Sequence, residues 1–488
     1  MPNGLITNDS LRSHSDGFAV SLTIPWYRSL WLSSVVSLNL VVDGEEIAAE
    51  DMALELDGTR YALDQLAAQS DVLWYLQRHP VLVVRRGAAF ALGEQHEVAI
   101  SGELRLPYMQ IAPGRDGGPG LYVPNHVRQS LTLTVTDRDA PVPVVVHEAF
   151  VPPVPEDDPF ELGLTLYSAS AEFRAGWYDL DGLLDRVAEL EIGPGIEIVA
   201  SQVLPTYPEV SDEFVASWRA AFDRHGFDAS SFGANLDMGR RRERDMTPDE
   251  EFEFSETLFR GAKKLGFPLV RIQSAKPELL KRLLPIAERL ELNLAYEIHA
   301  PMGPNSPEIL KVREVYDALD SPLLGFVADF SSTMHSMSPT LLRAVSRAGL
   351  DEEAVERLQT IWATDAPMRE RQEEFIGYLR GRDFDPGRLG SFAHLAFNMH
   401  GHVAPTEWSD IMPQIKHVHA KFYDIDENGQ EPAIDYPGLV RVFVEGGYRG
   451  YWSSEWEGHA FAELGEVDPL VLVRRQHDLI RASMRALR

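Results

Sequence analysis

The sequence contains no cysteine, which excludes disulfides and thiolate ligands, so any metal has to be held by His, Asp, Glu or water. It also lacks positive charge. Its 45 Lys and Arg face 75 Asp and Glu, and the formal charge of −30 opposes nonspecific attraction to nucleic acid or anionic lipid. Long apolar runs are missing as well: the most apolar early stretch, LWLSSVVSLNLVV, is short and broken by serines, so no membrane span is expected. The opening MPNGLITNDSLRSHSDG has no basic segment followed by an apolar one, so no signal peptide is expected and a cytoplasmic location fits. Neither a phosphate-binding glycine loop nor a dinucleotide fingerprint stands out, so no nucleotide cofactor is expected.

What is present is enough apolar residue, 44% of 488, to build ordinary cores for two domains. From 17 to 138 the chain runs in short alternating segments, GFAVSLTIPWY, SVVSLNLVVDGEE, VLVVRRG, EQHEVAISGELRLPY and QSLTLTVTDRD, separated by turn residues. That rhythm predicts an antiparallel β-sandwich or barrel over 1–150. The prolines and acidic cluster of APVPVVVHEAFVPPVPEDDPFELG mark a connector, placed at 151–160. Beyond it, apolar strands alternate with amphipathic segments such as KPELLKRLLPIAERLEL, and eight strand candidates predict a (β/α)8 barrel over 161–488. The long stretch from about 331 to 411 exceeds one helix and two loops, and predicts extra helices beside the barrel mouth.

Functional groups of such barrels gather at the C-terminal ends of the strands. There the segments AYEIHAP, VADFSS, HVHAK and EWEG offer Glu297, Asp329, His419 and Glu455. Three converging carboxylates without compensating charge would repel one another, and a divalent cation removes that conflict. Oxygen-rich ligation with one imidazole suits Mn2+ or Mg2+, with Zn2+, Fe2+ and Co2+ also compatible. Each residue has a plainer role open to it: Glu297 could pair with a buried arginine, Asp329 could cap a helix, and either His417 or His419 could be a satisfied core group. Glu457 competes with Glu455.

In order and spacing, YEIHAP, VADFSS, HVHAK and GYRGYWSSE resemble the sugar phosphate isomerase/epimerase superfamily of xylose-isomerase-like barrels. The resemblance implies a divalent metal held by Glu297, Asp329, His419 and Glu455, with His417 as fallback for the histidine. It departs at Ser332, where many epimerases carry a histidine. The segments IPWYRSL and VDGE, within the first 50 residues, resemble the small β-subunit of C-glycoside deglycosidases, and the barrel half resembles their α-subunit. The chain thus reads as a fusion of both. The implied reaction is carbon–carbon cleavage of a 3-oxo-C-glycoside by C2 deprotonation and elimination of an aromatic aglycone. An upstream glycoside 3-oxidase would supply the ketone. The alternatives are a metal-dependent sugar isomerase or epimerase, and elimination from 3-oxo-O-glycosides.

In this scheme His299, two positions beyond Glu297, faces substrate as acid or base, its plainer role being support of the loop at Pro301. Lys421 shares the face of His419 and could stabilise an oxyanion. His400 and His402 in NMHGHVAP read as surface histidines, and Trp26 and Tyr108 as core aromatics that could instead cover an aglycone. Oligomeric state stays open, a homo-oligomer being compatible with the fusion.

Overall fold

A computed structural model describes residues 4–86, 89–137, 158–380, 382 and 393–488. The described N-terminal residues form two larger antiparallel sheets and a short two-stranded one pairing Leu30–Trp31 with Leu73–Trp74. One larger sheet is ordered Leu11–His14, Gly17–Ser21, Val81–Arg85, Met52–Leu56 and Thr59–Ala62; the other is ordered Leu121–Thr134, Gln95–Ala112, Val35–Val42 and Glu45–Glu46. Met52–Leu56 alternates buried and half-buried side chains, as period-2 patterning requires of a strand with one face on a core. The turn after Val42 works through its residue types: Asp43 and Gly44 both sit at positive φ (52° and 81°), a tight two-residue hairpin connection that Asp and Gly adopt most readily.

The C-terminal part is a closed barrel of eight parallel strands: β1 (Glu161–Thr165), β2 (Gly195–Val199), β3 (Asp228–Ala234), β4 (Leu269–Ile272), β5 (Asn293–Ile298), β6 (Leu324–Asp329), β7 (Ile415–Phe422) and β8 (Tyr451–Trp456). β8 pairs back onto β1, which closes the sheet and removes its edges. The crossover helices are set by their own sequences. Pro248–Leu265 starts with a reciprocal Thr247 and Glu250 cap and stops at Gly266, whose φ of 89° suits glycine.

Between β6 and β7 the chain forms helices Pro339–Arg347, Glu352–Trp362 and Met368–Leu379, and then the 3-10 segment Pro405–Gln414. It returns to the barrel where Gly401 N–H donates to Ser331 O (2.7 Å) and Val403 N–H to Ser332 O (2.8 Å). Most of the expected connector at 151–160 lies outside the described residues, as do 383–392 within the expected insertion. No described helix is long and apolar enough to cross a membrane.

The N-terminal sheets sit against the C-terminal end of the barrel, where strand-following loops collect. Arg28 and Trp31 both donate to Asp237 Oδ2 at 2.8 Å, just beyond β3. Ser29 N–H donates to Ser201 O beyond β2 (2.9 Å), and Gln273 beyond β4 donates to Tyr108 O (2.8 Å).

Candidate active site and metal centre

Alternation along β7 sends His417, His419 and Lys421 to the barrel interior, and all three are buried. Its neighbours fix what they meet. Asp329 lies opposite His419 in the β6–β7 ladder, and Glu455 lies opposite Lys421 in the β7–β8 ladder. From β5, Glu297 completes a group of four in which one ligand-capable atom of each residue lies within 4.8 Å of all the others. His419 Nδ1 stands 2.6 Å from Glu297 Oε1, 2.9 Å from Glu455 Oε2 and 3.8 Å from Asp329 Oδ2.

The opposite edge of the same imidazole is already committed. His419 Nε2 meets Glu197 Oε1 at 2.9 Å, while Glu197 Oε2 meets His417 Nε2 at 2.9 Å. Burial would raise the pKa of Glu197, yet His419 and His417 bring it far below the ordinary carboxylate range. Glu197 therefore anchors the ring so that Nδ1 faces the carboxylates, the arrangement of a histidine ligand steadied by an outer carboxylate. His417 is drawn to Glu197 and away from the group of four.

Two permanent cations border the group. Arg271 Nη1 pairs with Glu297 Oε2 at 3.0 Å. Lys421 Nζ reaches Glu457 Oε2 at 2.7 Å, Glu455 Oε2 at 3.2 Å and Asp329 Oδ2 at 3.4 Å. Burial opposes the charge on Lys421, but Asp329, Glu455 and Glu457 outweigh it and hold the ammonium protonated. The same fields act in reverse on the carboxyls. Burial raises Glu297, but Arg271 and His419 carry it well below its usual range, and Lys421 lowers buried Asp329 against the same opposing burial.

The residues fit a divalent cation. Asp329 Oδ2 and Glu455 Oε2 are sealed from water and make no hydrogen bond, an arrangement that ordinarily costs free energy. Glu197 and Glu457 with the three carboxylates of the group make five, set against Arg271, Lys421 and the His419 imidazole, whose pKa those carboxylates raise well above its usual value; a divalent cation among the oxygens left without hydrogen bonds would take the place of the proton on Nδ1.

His299 stands just past the end of β5 and is the accessible member of the cluster, with 30% of its side chain exposed. Its Nδ1 lies 2.7 Å from Ala300 O. A carbonyl oxygen only accepts, so Nδ1 carries a hydrogen, and Nε2, 4.0 Å from Asp329 Oδ2, is the ring nitrogen left to exchange a proton.

The family model described as the C-glycoside deglycosidase beta subunit matches residues 2–108. A C-glycoside deglycosidase alpha subunit from Arthrobacter globiformis is 60% identical over 324 residues, covering 66% of this chain and 92% of the relative. The chain belongs to the C-glycoside deglycosidase family. In this family member, counterparts of both subunits are joined in one polypeptide, and the chain is an enzyme. A 3'-dehydrocarminate deglycosidase alpha subunit from a Microbacterium species is 38% identical over 337 residues, covering 66% of this chain and 94% of the relative. Among solved structures, a sugar phosphate isomerase/epimerase from Parabacteroides distasonis aligns with 67% of this chain and 98% of its own at 14% identity, with a TM-score of 0.40.

For this deglycosidase-family chain, sequence reasoning passed over Glu197, Arg271 and the pairing of Glu457 with Lys421. Glu197 and Arg271 did leave a signal, each being a charge inside an apolar strand segment, GIEIV and LVRI. Expected at the surface, His400 is instead fully buried, with Ser338 Oγ 2.9 Å from its Nε2 and its ring stacked on Tyr423. The apolar and aromatic lining around it outweighed the polar GHVAP context. His402 is partly exposed and lines a cavity of about 380 Å³ with Trp362, Met334 and Asp435.

Proposed function

We propose that the chain cleaves 3-oxo-C-glycosides, releasing an aromatic aglycone by elimination. The observation that carries this reading is one accessible imidazole, His299, beside four converging metal-ligand side chains in a barrel 60% identical to a named deglycosidase subunit. Support for a 3-oxo substrate comes from the relative named for a 3'-dehydro glycoside. We divide the chain into a β-subunit-like domain, 1–150, and a catalytic barrel, 161–488, joined through 151–160.

Glu297, Asp329, His419 and Glu455 would hold the cation, Mn2+ by first choice, with Mg2+, Zn2+, Fe2+ and Co2+ compatible. The bound ion would supply Lewis acidity toward the 3-oxo oxygen, making the neighbouring C2 proton easier to remove. His299 Nε2 takes that proton. As the C2–H bond breaks, a double bond forms between C1 and C2 and the bond from C1 to the aglycone breaks with its electron pair. The leaving carbon then receives a proton, which the imidazolium of His299 can return. Lys421, held by Glu457, places positive charge beside Asp329 and Glu455 and steadies the negative charge that develops nearby. The ketone requires a preceding glycoside 3-oxidation, and the reaction fits a cytoplasmic enzyme. The chain could also work as a homo-oligomer.

The decisive experiment is mass spectrometry of the metal-reconstituted enzyme with a 3-oxo-C-glucoside, alongside chelator-treated and Glu297→Ala protein. Metal-dependent release of the aglycone is expected. An intact C-glycosidic bond would overturn the reading, and deuterium entering the sugar from D2O without cleavage would instead favour an isomerase or epimerase. A second expectation concerns Glu197. Glu197→Gln removes the charge that orients His419, and metal affinity measured by chelator competition is expected to weaken by roughly 10- to 100-fold.

A further inference from the structure

The segment around IPWYR crosses the barrel mouth on the side of β1 to β4, whereas the four candidate ligands come from β5 to β8. From Ser21 to Leu30 every residue is buried except two, Trp26 and Tyr27. Their rings lie 5.6 Å apart. The Tyr27 ring meets Tyr167, which follows β1, edge-on at 5.0 Å. Tyr167 in turn donates its hydroxyl to Glu457 Oε1 at 2.9 Å, and Glu457 holds the Lys421 that lies 3.2 Å from Glu455. A continuous path of contacts therefore runs from the N-terminal domain to the candidate metal centre.

We propose that Trp26 and Tyr27 form the aromatic wall against which the leaving group of the substrate packs, so that the N-terminal domain supplies part of the substrate site. This rests on the reading above that the substrate carries an aromatic aglycone. The chemistry divides accordingly. A sugar needs polar partners, which the ligand group, His299 and Lys421 offer. Trp26 has already spent its one polar atom, since Nε1–H donates to Tyr108 O–H at 3.0 Å, leaving its faces for apolar and π contact. Partial burial raises the pKa of the Tyr27 phenol against the opposing effects of Arg28 and Tyr108, and the fields of Arg271 and Glu297 also reach it. Tyr108 is itself buried and positions the other two. A carbon-linked aryl group cannot hydrogen-bond through the atom that leaves, so packing on a flat aromatic surface is a suitable way to hold it.

The test is calorimetric titration of the metal-loaded full chain with two probes, free apigenin as a flat phenolic aglycone and methyl 3-oxo-glucoside as a sugar without a ring. Trp26→Ala and Tyr27→Ala are each expected to weaken apigenin by about three- to tenfold while the methyl glycoside binds as before. Trp26→Phe and Tyr27→Phe should keep most of the apigenin affinity. Metal content and melting temperature report folding, and if an alanine variant unfolds, Trp26→Leu and Tyr27→Leu keep more of the apolar packing without the ring and decide the question. Unchanged apigenin affinity in folded alanine or leucine variants would overturn the proposal, as would equal loss for both probes. Because the apigenin titration needs no turnover, it stands apart from the cleavage experiment: failure to cleave would sink the proposed reaction and leave the aromatic wall to be judged on its own.

Discussion

Asp329→Asn is expected to abolish the proposed binding of a divalent cation and lower turnover on the order of 10³-fold, while the chain stays folded. Asp329 is fully buried at the end of β6, and its Oδ2 is one of the two carboxylate oxygens in the group left without a hydrogen bond. An amide of the same shape removes one negative charge where a cation would sit and relieves part of the repulsion among the carboxylates. The two effects separate in one experiment. Bound cation stabilises a folded chain by about 4 kcal/mol at a thousand times its dissociation constant, so the melting temperature of the parent should fall on chelation and that of Asp329→Asn should not. A variant that keeps full metal content by elemental analysis would show that the cation does not depend on Asp329, and a parent whose melting is indifferent to chelator would show that Lys421 and Arg271 balance the group of four without one.

The second large effect lies at the junction of the two domains. Arg28 and Asp237 form an ion pair at 2.8 Å with both side chains fully buried, and the guanidinium also stacks over Tyr108 at 4.7 Å and Tyr207 at 5.4 Å. Arg28→Ala leaves the Asp237 carboxylate buried with only the Trp31 indole as a partner, and is expected to cost about 3–5 kcal/mol. Denaturant unfolding followed by tryptophan fluorescence would read this as a lower midpoint. Removing both charges together, as Arg28→Met with Asp237→Leu, should cost less than Arg28→Ala, because no unpaired ion remains inside. Equal losses in the two variants would mean that the arginine acts through packing on the tyrosines. The prediction matters for function because the same segment carries Trp26 and Tyr27.

Much of the architecture could be read before any coordinates. Each of the eight barrel strands overlaps one of the eight candidates picked out by their apolar runs, with β1 and β3 starting ahead of theirs, because parallel strands covered by helices on one side and a packed interior on the other are apolar nearly throughout. The turn Val-Asp-Gly-Glu announced its hairpin, since few residue pairs besides Asp-Gly tolerate two successive positive φ angles. Strand alternation is local as well, so His417, His419 and Lys421 could be put on one face from spacing alone.

Partnership was a different matter. His419 meets Glu197 across 222 residues of chain, and Arg28 meets Asp237 across 209. No short-range pattern encodes such pairs. The choice between His417 and His419 was open in HVHAK because both residues share a face and a chemistry. Folding separates them by position, bringing one between Glu197 and the three carboxylates and leaving the other with Glu197 alone. His400 shows the same limit from the other side, its polar neighbours in sequence giving no hint of the aromatic rings that enclose it. Periodicity and turn chemistry are properties of neighbouring residues and survive in the linear chain. Burial, charge pairing and the direction an imidazole faces depend on which distant segments the closed barrel and the domain above it bring within a few ångströms, where loss of water makes each charge count.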